Sequence, residues 1–405
     1  MRVYRNDIPF FCAIWANMQS KYSSNFIVYI PIQFYFCICL NIMQMQRLII
    51  LTLSILLNSI FAIASPFSFS FDETTGEATL LSVDKTLPKV AIIPDSVENG
   101  GRWYTVTKIA KQAFAKCGKM ETVQLPSGLK KIGPVAFAEC GKLKSIAIPQ
   151  GVETIPHHCF YLCSSLESVT LPSSLKSIEH DAFIACRSLQ TIHIPNSVHH
   201  IGSWAFGENL ALESVDFQAG NKKLSIGDHA FDRSGLKTLI IPSFVDSLGE
   251  YVFNGCNSLK SATIETDLDT LPKMTFHGCE NMTGLTLKGK MNAIAYGAFS
   301  DCKKLESITL PTTLKGIGVN AFDGCKSLAN INLQNLTLLQ TIGEAAFSGC
   351  ENIEKISLPS GIKKIEDGTF MSCHSLIEIT GENVESEAEF SFYDCPKLRT
   401  KKFAK

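Results

Sequence analysis

Fifteen cysteines and nine histidines are the side chains of this chain best suited to metal binding, redox chemistry or nucleophilic attack. Eleven of the cysteines recur at one spacing: Cys117, Cys140, Cys163 and Cys186, then Cys256, Cys279, Cys302, Cys325, Cys350, Cys373 and Cys395. No C-x-x-C occurs, which argues against a zinc ribbon or a dithiol redox motif. A column at constant pitch implies a constant environment, most simply an inward-facing position where cysteine acts as a small hydrophobe. Neighbouring Cβ atoms in a stacked column would lie ~5 Å apart, beyond the ~3.5–4.5 Å that a disulfide needs. The column is therefore expected to hold reduced, buried thiols. Cys159 stands where other units carry alanine, so a small buried side chain is expected there too.

Six histidines cluster: His157, His158, His180, His193, His199 and His200. His157 and His180 fall at the same position of adjacent units, with His158 and Asp181 one place further on. Imidazoles with a carboxylate could ligate a metal. The plainer reading is a solvated turn column, and no metal ligand and no cofactor is assigned. The chain has no G-x-S-x-G, P-loop, H-E-x-x-H or G-x-G-x-x-G, so catalysis is not expected. Lys plus Arg is 37 and Asp plus Glu is 38, a balance that gives no electrostatic footprint for nucleic acid.

The elements behind this spacing are repeats. Aligned on Ala-Phe, units begin at Ile109, Ile132, Ile155, Ile178, Ile201, Ile226, Leu248, Leu271, Ile294, Ile317, Ile342 and Ile365, and a degenerate last unit carries Phe392 and Cys395. Most steps are 23 residues, as from Ile109 to Ile132. The consensus is I-G-x-x-A-F-x-x-C-x-x-L-x-x-I-x-L-P-x-x-L-x-x, and a phenylalanine marks every unit from Phe114 to Phe392. L-x-x-I-x-L ends in the alternation of a strand with one buried face. Proline, as at Pro126, Pro149 and Pro172, then ends that strand, because it cannot donate to a ladder. The x-x-L-x-x-I-G stretch is expected to turn the chain, with glycine supplying permissive dihedrals. A-F-x-x-C is expected to form a single helical or 3₁₀ turn. One unit cannot cover its own apolar face, whereas stacked units bury each other's.

The I-G-x-x-A-F-x-x-C-x-x-L-x-x-I-x-L-P strings resemble the BspA-like (Treponema-type) leucine-rich-repeat family from about Ile109 to Leu398. The fold expected is a leucine-rich-repeat solenoid, an α/β superhelix that is mostly β. A parallel sheet would line one face, with turns and short helical or 3₁₀ segments on the other. The resemblance further implies an exported, often bacterial protein, since members of the family are described as surface adhesins. A fold does not by itself fix a function.

Residues 109–386 are read as the repeats, 65–108 as an N-terminal cap, and 387–405 as the degenerate last repeat with a C-terminal cap. Gln46-Arg47, the apolar run Leu48–Ile63 and Ala62-Ile63-Ala64 have the parts of a secretory signal peptide over 43–64, with cleavage expected after Ala64. No lipoprotein cysteine follows. Residues 1–42 are read as an upstream extension from a misplaced start. The other reading is a membrane anchor that uses Phe26–Leu40, and an uncleaved N-terminus is the one membrane contact expected.

Two outward columns of the strand are rich in hydroxyls and nearly uncharged. The candidate partner-binding residues on them are Thr122, Gln124, Ser145, Ser168, Thr170, Thr191, His193, Ser214, Asp216, Thr263, Thr286, Ser307 and Thr309. Threonine also favours strands for its own sake. Aromatic anchors are missing from these columns, while Trp204 and Tyr296 fall in the segment before Ala-Phe on the opposite side, near Tyr161 and Tyr251 in repeat position. The expected function is an exported, non-catalytic protein, secreted or held at the cell surface, that binds a protein or glycan ligand, host or matrix included. The alternative is a structural or glycan-binding accessory of the cell envelope.

Overall fold

The computed structural model describes residues 65–220 and 223–403. The expected signal peptide, the upstream extension and the Phe26–Leu40 segment lie outside those residues. Residues from Pro66 onward form one unit, a mostly β parallel solenoid.

The first strands start the stack. β1 (Phe67–Asp72) and β2 (Glu77–Val83) form an antiparallel pair, as do β4 (Ser96–Asn99) and β5 (Arg102–Ile109), and β2 joins β5 in parallel. Each of the next coils then contributes two short strands. β3 (Val90–Ile92) pairs with β6 (Thr122–Gln124), and β6 pairs with β8 (Ser145–Ala147), which opens the first ladder. The C-terminal end of β5 pairs with β7 (Lys131–Ile132), and β9 (Thr154–Ile155) pairs with Ser177–Ile178, which builds the second ladder. The x-x-L-x-x-I stretch thus closes in a strand rather than only turning. Two residues are too short a run to show an alternation in sequence. The first ladder is also interrupted: the sheet ending at Ser168–Thr170 is distinct from the one containing Thr191–Ile194.

The A-F-x-x-C segment corrects a second expectation. It is neither α nor 3₁₀, and the one helix among the described residues is the 3₁₀ turn Leu333–Asn335. That turn sits inside the 25-residue step from Ile317 to Ile342, where the coil has residues to spare. Two β-turns take the helix's place in each coil. In the first full coil the Ala113 N–H donates to Ala110 at 3.4 Å and the Cys117 N–H to Phe114 at 3.1 Å. The third residues of these turns, Gln112 and Lys116, have φ of 61° and 65°, the left-handed position of a type II turn. The same pair recurs as His158 with Leu162 and as Asp181 with Ala185. N–H groups of Gln112, Phe114 and Lys116 then donate to the next coil at Pro134, Ala136 and Ala138. A third hydrogen-bonded ladder therefore runs through turns, where a helix would have spent those donors internally.

Glycine at I-G serves a different purpose from the one expected. Gly133 does not have positive φ; a Cβ there would sit 2.4 Å from the Lys111 backbone nitrogen. Close approach of successive coils, not turn dihedrals, favours glycine at that contact. Glu179 and Pro156 occupy the place in other coils, so the demand is local.

The core runs the length of the stack. Phe114 through Phe370 are fully buried, and Phe392 packs partly buried at the end. Successive rings stack with centroids 4.9 Å apart at the closest and 5.8 Å at the widest. Coil pitch matches the ~4.8 Å strand spacing, so identical side chains in one register must meet face to face. Burying each ring contributes roughly 1.5–3 kcal/mol.

Candidate functional site

Three side-chain columns have chemistry to offer: the thiols, the outward strand face and the turn face. The thiols are buried except Cys395, which is half-buried, and all those described are free. They do more than fill space. Cys140 Sγ donates to the Phe114 carbonyl at 3.1 Å, Cys163 to Phe137 at 3.1 Å and Cys325 to Phe299 at 3.1 Å. Each of these thiols thus ties its coil to the one before. Sequence reasoning gave the burial but missed the donor role, since a column alone does not say which carbonyl it faces. Burial raises the Cys256 pKa to about 12 and that of Cys279 well above the usual thiol value. Such thiols are poor nucleophiles. Two coils break the column. Ser234 Oγ lies 3.2 Å from Cys256 Sγ, whereas the fully buried Asn209 amide has no hydrogen-bond partner among the described residues.

The strand face is where the spacing put it. Gln124, Ser145, Ser168, Thr170, Thr191, His193, Ser214, Asp216, Thr286, Ser307 and Thr309 are exposed, and Thr122 and Thr263 are half-exposed. The structure pairs Thr122 and Ser168 with Ser145, Thr191 with Ser214, and Thr263 with Thr286. Thr286 bridges to Thr309. Gln124 pairs instead with Ile92 of β3, and Ser307 with Asn330. The ladder breaks separate these residues into blocks rather than one continuous row. His193 Nδ1 lies 2.9 Å from Asp216 Oδ2. Among the described residues, the hydroxyls of Thr191, Ser214, Thr263 and Thr286 bond to no other side chain. One strip beside the face is charged. Glu121 lies 2.8 Å from Lys89 and 3.0 Å from Lys144, and Lys237 lies 2.6 Å from Glu213. Opposite charges at one repeat position, Glu121, Lys144 and Glu213, were the available signal for these pairs.

On the turn face, Trp204, His229 and Tyr251 form a stack with centroid spacings of 4.3 and 4.6 Å. Lys273 Nζ lies 5.4 Å from the Tyr251 ring centroid and 5.8 Å from that of Tyr296. His229 Nδ1 lies 2.6 Å from the buried Asp232 carboxylate, which also accepts from Asn254 at 3.1 Å. Further toward the N-terminus, the His157 and His180 rings stack at 4.9 Å and are 2° from parallel, and His158 Nε2 lies 3.4 Å from Asp181 Oδ2. Burial first, then the neighbouring His180 and His158, push the His157 pKa below the usual imidazole value.

No helix among the described residues is long and apolar enough to cross a membrane. No curated protein matches the chain. Among solved structures, a leucine rich cell surface protein from Faecalibacterium prausnitzii is 23% identical, over 84% of this chain and 93% of that one, with a TM-score of 0.51. A leucine-rich repeat protein from Bacteroides ovatus is 27% identical over 85% of this chain and 99% of that one, with a TM-score of 0.39. The pneumococcal vaccine antigen PcpA is 20% identical over 82% of this chain and 90% of that one, with a TM-score of 0.48. The first of these likenesses shows a shared fold. The BspA type leucine rich repeat region (6 copies) matches residues 103–213, 205–315 and 292–405. Three overlapping matches span every coil described above, and on that ground the chain belongs to the BspA type leucine-rich-repeat family.

Proposed function

We propose that this protein is an exported, non-catalytic binding protein displayed at a cell surface, which holds a protein or glycan ligand on the outward face of its first ladder. The observation that carries the reading is the set of exposed hydroxyls at Thr191, Ser214, Thr263 and Thr286, whose donors and acceptors no neighbouring side chain uses. A ligand could take these groups without first breaking an internal bond, and hydroxyls suit both backbone amides and sugar hydroxyls. Export rests on the signal-peptide pattern before Ser65. The surface description of the Faecalibacterium protein supports the same reading. The test is binding of the purified chain to immobilised host matrix proteins and to a glycan array, beside a Thr263→Lys, Thr286→Lys double variant. Binding by the parent that the double variant loses is the expected result. Binding that the variant retains moves the site elsewhere, and binding to neither class favours an envelope role.

A second reading places the partner on the turn face. The Trp204–His229–Tyr251 stack favours it, because aromatic side chains are the usual interface anchors and the hydroxyl face has none. Retained binding in the strand-face variant, lost in Tyr251→Ala, would select it.

A further inference from the structure

We propose that His158, His180 and Asp181 form a binding site for a divalent transition metal of the zinc type on the turn face. One donor atom from each residue lies within 4.8 Å of the other two. His158 Nε2 and Asp181 Oδ2 are already 3.4 Å apart, and the His158 and His180 rings meet edge to face with centroids 5.4 Å apart. Tetrahedral zinc with ligand bonds of ~2.0–2.1 Å places its donors about 3.4 Å from one another. The donor atoms must therefore close by at most about 1.4 Å for such a geometry. His180 is exposed, and the movement works only against its stack on His157 and its edge contact with His158.

The backbone sets the three residues in place. His158 and Asp181 occupy the same left-handed turn position of adjacent coils, with φ of 54° and 56°. The His158 N–H donates to His180 at 3.2 Å, and the Asp181 N–H to Ser203 at 3.0 Å. Coil stacking thus fixes which side chains face each other. Left-handed positions tolerate His and Asp more readily than most residues, which accounts for His158 and Asp181 as residue types. It does not account for His180, which lies outside that position.

The contacts within the group also point to a ligand. His158 Nδ1 is buried with no partner among the described residues, and Nε2 faces the Asp181 carboxylate at 3.4 Å, so Nε2 is the nitrogen placed to ligate. Two imidazoles and one carboxylate favour zinc, nickel or copper over magnesium or calcium, which take oxygen donors. The Asp181 carboxylate offsets part of the ion's charge. His157, parallel to His180, presents a ring face to it and stands as a packing neighbour rather than a ligand. The fourth position would fall to water. Bound there, the ion would clamp two consecutive coils together.

Calorimetric titration of the chelator-stripped chain with zinc chloride tests the proposal. Expected is one site at micromolar affinity that magnesium does not displace. His180→Ala and Asp181→Asn should each weaken it by about tenfold or more, and His193→Ala on the strand face should leave it unchanged. His180 is exposed, so its removal leaves the core intact, and circular dichroism of each variant checks the fold. Absence of zinc binding, or zinc bound equally well by the His180→Ala chain through thiols or other histidines, overturns the assignment.

Discussion

The Cys279 thiol donates to the Phe253 carbonyl oxygen across 3.3 Å, and the same oxygen accepts from the Cys256 N–H at 3.3 Å. One carbonyl therefore serves a turn within its own coil and a link to the next. Cys279→Val keeps an apolar side chain of similar size but removes the link. A loss of about 1 kcal/mol is expected, measured as a lowered thermal midpoint, with Cys279→Ser closer to the parent. Equal effects of the two substitutions would show that the site reads volume rather than hydrogen bonding.

Asn209 is the opposite case. Its buried amide has no partner among the described residues, at the position where other coils place a thiol against the preceding phenylalanine carbonyl. Asn209→Cys should restore the column by donating to Phe183 and raise stability by roughly 1–3 kcal/mol. Denaturant unfolding of the two chains side by side measures the difference. A less stable variant would mean that the amide is satisfied in solution.

The phenylalanine stack gives the largest expected loss. Phe253 is fully buried between the rings of Phe231 and Phe276, at 5.7 and 5.5 Å. Phe253→Ala should cost about 3–5 kcal/mol because the hydrogen-bonded coils on either side cannot collapse into the space. A loss below about 1 kcal/mol would be incompatible with a close-packed stack.

Acid should weaken the fold through the lysine-bridged carboxylates. Lys89 and Lys144 hold the Glu121 pKa down to about 2, and Lys130 and Lys108 do the same for Glu77, against an ordinary value of 4.5. A carboxyl with a lowered folded pKa adds stability that is complete above its unfolded value and lost as pH falls through the folded one. The thermal midpoint should therefore decline from pH 4.5 towards pH 2. The decline should be shallower in a Glu77→Gln, Glu121→Gln chain. Identical slopes in the two chains would remove these groups as the cause.

Much of this architecture was legible in the sequence, for a physical reason. Phe114 and Cys117 recur at a fixed pitch, and in a stacked coil a fixed pitch is a fixed environment. The outward strand columns followed from the two-residue period of the strand ending at Gln124. What could not be read was conformational. Gln112 and Lys116 are left-handed, yet neither residue type advertises it as glycine would, so a helical turn was the natural expectation. The Lys131–Ile132 strand is too short to show a period. Among the histidines, the alignment of His157 with His180 was legible, but the approach of His158 to Asp181 depends on where the turn aims each side chain.

Side-chain links in this stack span a characteristic interval: Lys144 to Glu121 and Lys176 to Glu153 are each 23 residues apart, and the thiol links from Cys163 and Cys186 are each 26. Contacts of this kind reach the next coil and no further, so the molecule behaves as a one-dimensional array. A lesion such as the Asn209 amide burdens its immediate neighbours while distant coils keep their own stability. Growth and loss can follow the same rule. A tandem duplication or deletion of one whole period rejoins every column in register, whereas a single-residue insertion disturbs only the coil that receives it, as the 3₁₀ turn at Leu333–Asn335 in its longer step illustrates.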